Sequence, residues 1–152
     1  MRILLDTNIL VRAHPKARGS ARSLLLTIAH SRDHTLILSP FLLEEVERVL
    51  AYPRLQGLWP LTPDDIRDYT QALDDVGEMV DLSPVFPAVL ADPKDDPVVE
   101  TAVLGRADVL CTLDRDFYTP SVVEYLRRHS IQLINDVQLL LLLRKGSVQT
   151  GS

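Results

Sequence analysis

The first ten residues, "MRILLDTNIL" (residues 1–10), decide the fold. After Arg2, Ile3–Leu5 is an unbroken apolar run, as expected of a strand buried on both faces. The run stops at a carboxylate, Asp6, followed by Thr7 and Asn8. Apolar residues then resume with Ile9, Leu10 and Val11 in a helical pattern. In a parallel sheet, ligands gather just beyond the carboxyl ends of the strands, where Asp6 falls. The same position suits a helix N-cap, with Asp6 or Asn8 accepting from free amides. Position alone leaves both readings open.

Outward from this stretch, short apolar runs alternate with helical patterns, which points to βα units and a parallel sheet. The strands expected are Arg2–Leu5, Thr35–Leu38, Glu78–Leu82, Val109–Thr112 and Ile131–Leu133. The helices expected lie near Thr7–Ala13, Ala21–Ser31, Pro40–Ala51, Pro63–Val76, Pro97–Arg106, Ser121–His129 and Asp136–Leu143. Four helix starts carry a capping residue followed by proline at the first helical position: Ser39-Pro40, Thr62-Pro63, Asp96-Pro97 and Thr119-Pro120. There is no internal repeat and no long linker. The chain reads as one domain over residues 1–144, followed by a flexible tail over 145–152.

The composition bounds the class. The 152 residues are 46% hydrophobic and 24% charged, enough for one domain with a real core. The single cysteine, Cys111, excludes an intrachain disulfide framework and a cysteine-based zinc site. No stretch has the form of a signal peptide. The longest apolar run, Leu139–Leu143, falls far short of the roughly 18 residues needed to span a bilayer. The expectation is a cytoplasmic protein without membrane contact. The net charge of −5 is unevenly spread. Residues 64–100 hold eleven acids against Arg67 and Lys94, whereas residues 12–22 hold Arg12, Lys16, Arg18 and Arg22 and no acid. Divalent cations bound among the acids would offset much of the negative charge, so net charge says little about a nucleic-acid partner.

Four acidic positions stand out. On a helical wheel, Glu45 falls between Phe41 and Val49, inside the apolar stripe of "SPFLLEEVERVL" (residues 39–50), while Glu44 and Glu47 fall outside it. An inward carboxylate is costly unless something pairs with it, although one at the margin of the stripe can reach water. Asp96 is explained by capping alone, but the crowding of Asp92, Asp95 and Asp96 in one loop is not, because like charges repel unless a cation or, in a solvated loop, water relieves them. In "VLCTLDRDF" (residues 109–117), Asp114 and Asp116 leave a strand at alternate positions and could share a face, or simply form a polar turn. Taken together, Asp6, Glu45, Asp96 and Asp114 could meet at one edge of one sheet. Oxygen ligands without histidine or cysteine suit magnesium or manganese, and such ions support phosphodiester hydrolysis.

These motifs resemble those of the PIN-domain nucleases. "LLDTNIL" is similar to the family's first motif, and "SPFLLEEVERVL" to its second, with Glu45 as the inward acid. "DPKDDPVVETAV" is similar to the third, with Asp96 matching best and Asp95 beside it. "LCTLDRDF" is similar to the fourth, giving Thr112, Asp114 and Asp116. The four occur in family order and cover Arg2 to about Ile134. "SPFLLEEVERVLAYPRL" followed by "DPKDD" looks most like the VapC group, the toxins of toxin–antitoxin pairs. The resemblance implies a three-layer α/β/α fold with a central parallel sheet. It implies an endoribonuclease dependent on Mg²⁺ or Mn²⁺, an RNA substrate, a cognate antitoxin partner and, in many members, a homodimer. Glu100, one turn after Asp96, departs from the small apolar residues usual there.

The resemblance implies Asp6, Glu45, Asp96 and Asp114 as catalytic metal ligands, with Asp116 assisting. Thr7, Asn8 and Thr112 would orient carboxylates or waters. Arg12, Lys16, Arg18 and Arg22 could approach phosphates, or be solvated. Two other readings compete. "DRDF" superficially resembles an aspartyl-phosphate phosphatase motif but lies far from the first strand. A PIN-like module that binds RNA or protein without cutting is the non-enzymatic reading.

Overall fold

Residues 1–82 and 96–150 are described by a computed structural model, with side chains as far as Gly146. The strands Arg2–Leu5 (β1), Thr35–Leu38 (β2), Glu78–Met79 (β3), Val109–Cys111 (β4) and Gln132–Ile134 (β5) form one sheet in the order β3-β2-β1-β4-β5. All four pairings are parallel. Leu4 stands opposite Ile37 on one side and Leu110 on the other, and all three are fully buried. The apolar run beside Asp6 is therefore the centre of the sheet, with helices covering both faces.

The helices are Thr7–Val11 (α1), Ser20–Ala29 (α2), Pro40–Leu50 (α3), Pro53–Leu58 (α4), Pro63–Val76 (α5), Pro97–Leu104 (α6), Pro120–Arg128 (α7) and Asp136–Thr150 (α8). From β1 the chain steps outward to β2 and β3, then returns to the other side of β1 for β4 and β5. A single handedness of crossover requires the connecting helices to change face where the direction reverses. The two cores show this change. Ile3, Leu5, Leu36 and Leu38 pack with α1, α2, α5 and α8. Leu4, Ile37 and Leu110 pack with α6 and α7 through Val98, Val99, Ala102 and Leu126. The result is a three-layer α/β/α fold, and the switch in direction falls between β1 and β4.

Helix α3 belongs to both layers. Leu42 packs in the second core, whereas Val46 and Leu50 pack in the first. Gly105, just after α6, lies against β2. A Cβ there would stand 2.5 Å from Ile37 Cγ2 and 2.9 Å from the Thr101 carbonyl, so only glycine allows this approach.

Several elements differ from those expected. Strand β3 ends at Met79, although the Val80 amide still donates to Leu38 O (2.7 Å). Strand β5 lies one residue later than expected, and α1 ends at Val11. Helix α4 is an addition. Proline at its first position favours a helix start, but none of its residues is buried, so no apolar stripe betrays it. Helix α8 runs past Leu143 to Thr150. Its Leu139, Leu140 and Leu143 enter the core while Val137, Leu141 and Leu142 are exposed. No helix among the described residues is long and apolar enough to cross a membrane.

Candidate metal centre

The reversal point between β1 and β4 is where an open α/β sheet forms a crevice beyond its carboxyl ends. Asp6 follows β1 there, its amide donating to the Cys111 carbonyl at the end of β4 (2.9 Å). Both readings of Asp6 hold at once. It caps α1, accepting at Oδ1 from the Thr7 amide (2.7 Å), and it is 5% exposed at the wall of a cleft. That cleft has a volume of about 200 Å³ and brings together Asp6, Glu45, Asp96 and Asp114, with Thr7, Asn8 and Phe117 beside them. The four acids come from β1, α3, α6 and the turn after β4, elements spread over most of the chain.

Each carboxylate is held by donors, some from its own turn and some from a distant element. Thr112 Oγ1 donates to Asp6 Oδ2 (2.7 Å) and accepts from the Asp114 amide (3.0 Å), so one hydroxyl joins the acids at the ends of β1 and β4. Thr7 Oγ1 donates to Glu45 Oε2 (2.6 Å), joining α1 to α3. Asp96 caps α6, accepting at Oδ1 from the amides of Val98 (2.8 Å) and Val99 (3.3 Å). Asp114 Oδ1 accepts from the Asp116 amide (2.9 Å). Glu45 is half-buried and also meets the exposed Arg48 at 3.3 Å.

The electrostatics are unfavourable to so many charges. Burial pushes the Asp6 carboxyl above its ordinary pKa; the hydrogen bonds from Thr112 and Thr7 oppose this, and the Asp114 and Asp96 charges add to it. Burial likewise raises Asp96, helped by the Glu45 and Asp114 charges and opposed by the Val98 and Val99 amides. These shifts express, first, the loss of water around the buried carboxylates and, after that, like-charge repulsion between them. Among the described residues, no three Asp, Glu, His or Cys side chains are already drawn together as a metal cluster. The donor chemistry nevertheless fits a hard divalent cation: oxygen only, net negative, and repelled for want of a counter-charge.

Other residues fall elsewhere. Asp116 is exposed and outside the cleft lining, because Arg115–Tyr118 forms a 3₁₀ turn that ends the alternation expected of an extended chain. Asn8 is exposed at the cleft rim. Asp92 and Asp95 lie outside the described residues. The four basic residues do not converge. Lys16 pairs with Asp65 (3.3 Å), Arg22 turns inward to donate to Ala13 O (2.9 Å), and Arg18 is exposed. Arg12 alone borders a larger groove that adjoins the acid cleft.

Two features escape a sequence reading. Ser39 heads α3 without capping it; its hydroxyl instead meets that of Thr101 (2.9 Å), both fully buried. This bond ties the helix that carries Glu45 to the one that Asp96 caps. Thr101 also bonds Pro97 O (2.7 Å), and its signal is a lone polar residue on the apolar face of α6. Tyr118 donates to Thr112 O (2.8 Å), bracing the turn after β4.

Comparison with known proteins places these motifs. A family model described as "PIN domain" matches residues 2–116. No curated protein matches the sequence. Among solved structures, the chain is similar to one in the crystal structure of VapBC2 from Rickettsia felis bound to a DNA fragment from their promoter. The TM-score is 0.55 and the identity 18%, and the match covers 89% of this chain and 98% of that one.

Removing one of the mutually repelling charges is expected to stabilise the metal-free protein. In Asp6→Asn, the amide oxygen keeps the Thr7 bond while the NH₂ group faces Thr112 Oγ1. Thermal melting at neutral pH in EDTA should rise by roughly 2–4 °C; a fall would mean that the hydrogen bonds outweigh the repulsion. Thr112→Val should act in the opposite direction. It leaves a buried carboxylate oxygen and the Asp114 amide unpaired, at a cost of about 2 kcal/mol in chemical denaturation, and Thr112→Ser should recover most of it.

Proposed function

The chain belongs to the PIN domain family, and from that premise we propose that it is an endoribonuclease that hydrolyses RNA phosphodiester bonds with Mg²⁺ or Mn²⁺. The observation that carries the proposal is the gathering of Asp6, Glu45, Asp96 and Asp114 around one cleft at the reversal point of the sheet. These four would hold the cation; Asp116 lies outside the cleft lining and would assist only through its amide, which donates to Asp114 Oδ1. When bound, the ion lowers the pKa of water and offsets negative charge at the scissile phosphate.

The chain's own groups prepare the site. Thr112 and Thr7 hold the Asp6 and Glu45 carboxylates at fixed angles, which spares the site the entropy of ordering them later. The peptide bonds at the head of α6 hold Asp96 in the same way. Asn8, exposed at the rim, is placed to hydrogen-bond a phosphate or a water. No side chain need attack covalently. Cys111 is fully buried, and burial pushes its thiol up to about 12, so it remains protonated and inert.

We place the protein on the toxin side of a toxin–antitoxin pair. Support comes from its likeness to a chain of the VapBC2 complex and from the VapC-like motifs around Glu45 and Asp96. A cognate antitoxin is then a partner. A small DNA-binding protein encoded next to this chain, and able to suppress its activity, would support this; a lone gene with no inhibitor would count against it. The exposed Val137, Leu141 and Leu142 of α8 offer a face for a second copy. Sedimentation should give twice the chain mass and Leu141→Asp the single mass; a monomeric wild type refutes the dimer.

The decisive assay is cleavage of single-stranded and structured RNA in Mg²⁺ and in Mn²⁺, with EDTA controls. Asp6→Asn and Glu45→Gln should each lower the rate by roughly a hundredfold or more. Full metal-dependent activity in both variants would refute the site assignment. RNA binding without cleavage over a broad panel would favour a binding module instead.

A further inference from the structure

The acid cleft accounts for one phosphate, but an RNA strand also brings nucleosides, and these need a place to lie. A second concavity of about 510 Å³ adjoins the cleft. Asn8 and Val49 line both, and Leu113 lines the second concavity directly before Asp114. The two therefore share walls from the start of α1, from α3 and from the turn after β4. The far wall is α4 with its flanks. Tyr52 is 46% exposed and Leu58 63% exposed, while Trp59 is steadied by the buried His14 ring, edge to face at 4.8 Å. Arg12 and Arg54 also stand in this groove, both exposed and, among the described residues, with no acidic partner.

We propose that this groove is the subsite for an unpaired nucleobase next to the scissile phosphate, with Tyr52 as the stacking surface and Arg12 and Arg54 as contacts to the flanking phosphates. The inference rests on the nuclease reading above and adds where the substrate lies. The chemistry matches in three respects. Unpaired RNA bases are recognised by stacking on aromatic rings and guanidinium planes. The groove volume falls within the roughly 300–1,000 Å³ usual for sites that hold small organic molecules. The unpaired arginines supply, beside the acids, the positive charge that a polyanion requires, and the acids themselves cannot. Continuity of the walls favours RNA over a peptide, because a phosphate held at the acids brings its neighbouring nucleoside into the groove without further travel of the strand. The base enters only from single-stranded RNA, since in a helix its faces are occupied.

The test measures binding of fluorescein-labelled single-stranded RNA pentamers to the full chain in Ca²⁺. One abasic nucleotide is walked through the pentamer. At one position its presence should weaken wild-type binding by roughly tenfold. Tyr52→Ala should weaken the intact pentamer by a similar factor and no longer respond to the abasic site there. Arg54→Ala should weaken all pentamers alike. Unchanged melting temperatures verify folding of each variant. If wild type ignores the abasic site at every position, or Tyr52→Ala binds as wild type does, the subsite is refuted. If Tyr52→Ala keeps its RNA affinity but loses that for a co-encoded protein, the groove serves a protein and the proposal falls. Cleavage in Mg²⁺ run alongside separates the two readings. Cutting by Tyr52→Ala with unchanged site preference overturns the subsite and leaves the nuclease. Base-dependent binding without cutting in Mg²⁺ or Mn²⁺ supports the subsite and overturns the nuclease.

Discussion

A buried carboxylate at the end of the central strand is the constraint on which the rest of the structure depends. Asp6 has both oxygens engaged, by the Thr7 amide and the Thr112 hydroxyl, and is nevertheless raised in pKa by burial and by its acidic neighbours. An isolated carboxylate at that depth would cost several kcal/mol. The fold supplies a helix start on one side and the end of β4 on the other, and these are the donors that a sheet reversal at this strand can offer. Under the proposed function the residual penalty is a cost of function, since the same acids that repel one another in the free protein are those that a cation would bring together.

Two threonines carry the organisation outward. Thr112 acts as donor to Asp6 and acceptor from the Asp114 amide, so a single side chain joins the carboxylate after β1 to the turn after β4. Thr7 holds the same peptide unit against Asp6 by its amide and reaches Glu45 by its hydroxyl. A third link, the hydroxyl pair of Ser39 with Thr101, joins α3 to α6. Glu45 and Asp96 are thus fixed from the interior, while their oxygens line the cleft. An apolar residue at any of these positions would keep the packing and lose the alignment.

Much of this was legible in the sequence because it follows from period. A strand buried on both faces has to be apolar throughout, so its end is plain, and Asp6 with it. A helix stripe with one acid inside it points to Glu45, and a proline after Asp96 points to a helix start. What was not legible lacks such a period. Helix α4 fully buries none of its residues and sets only Leu55 partly against the core, so its sequence "PRLQGL" carries no stripe. The turn at Arg115–Tyr118 replaces an extended chain, so Asp116 leaves the face of Asp114. The basic residues from Arg12 to Arg22 look like one patch along the chain. However, the backbone bends after α1, sending Arg22 inward and Lys16 to Asp65. Adjacency in sequence fixes a common face only where secondary structure is regular.

The element least visible in the sequence also settles an apparent contradiction of charge. A chain of net charge −5 whose cleft is lined by four acids should repel RNA. At physiological ionic strength, however, charges beyond about 8 Å are largely screened, so the local pattern governs the encounter and the net charge does not. Most of the surplus acid lies on α5 and beyond, where Asp64 and Asp65 are already paired with Arg67 and Lys16. Next to the cleft, Arg12 at the end of α1 and Arg54 on α4 are exposed and, among the described residues, have no acidic partner. Positive charge thus flanks the acids on the side where the groove opens. Under the proposed function, an approaching strand would meet the arginines along its length, and the carboxylates only at the one phosphate where cations would offset them.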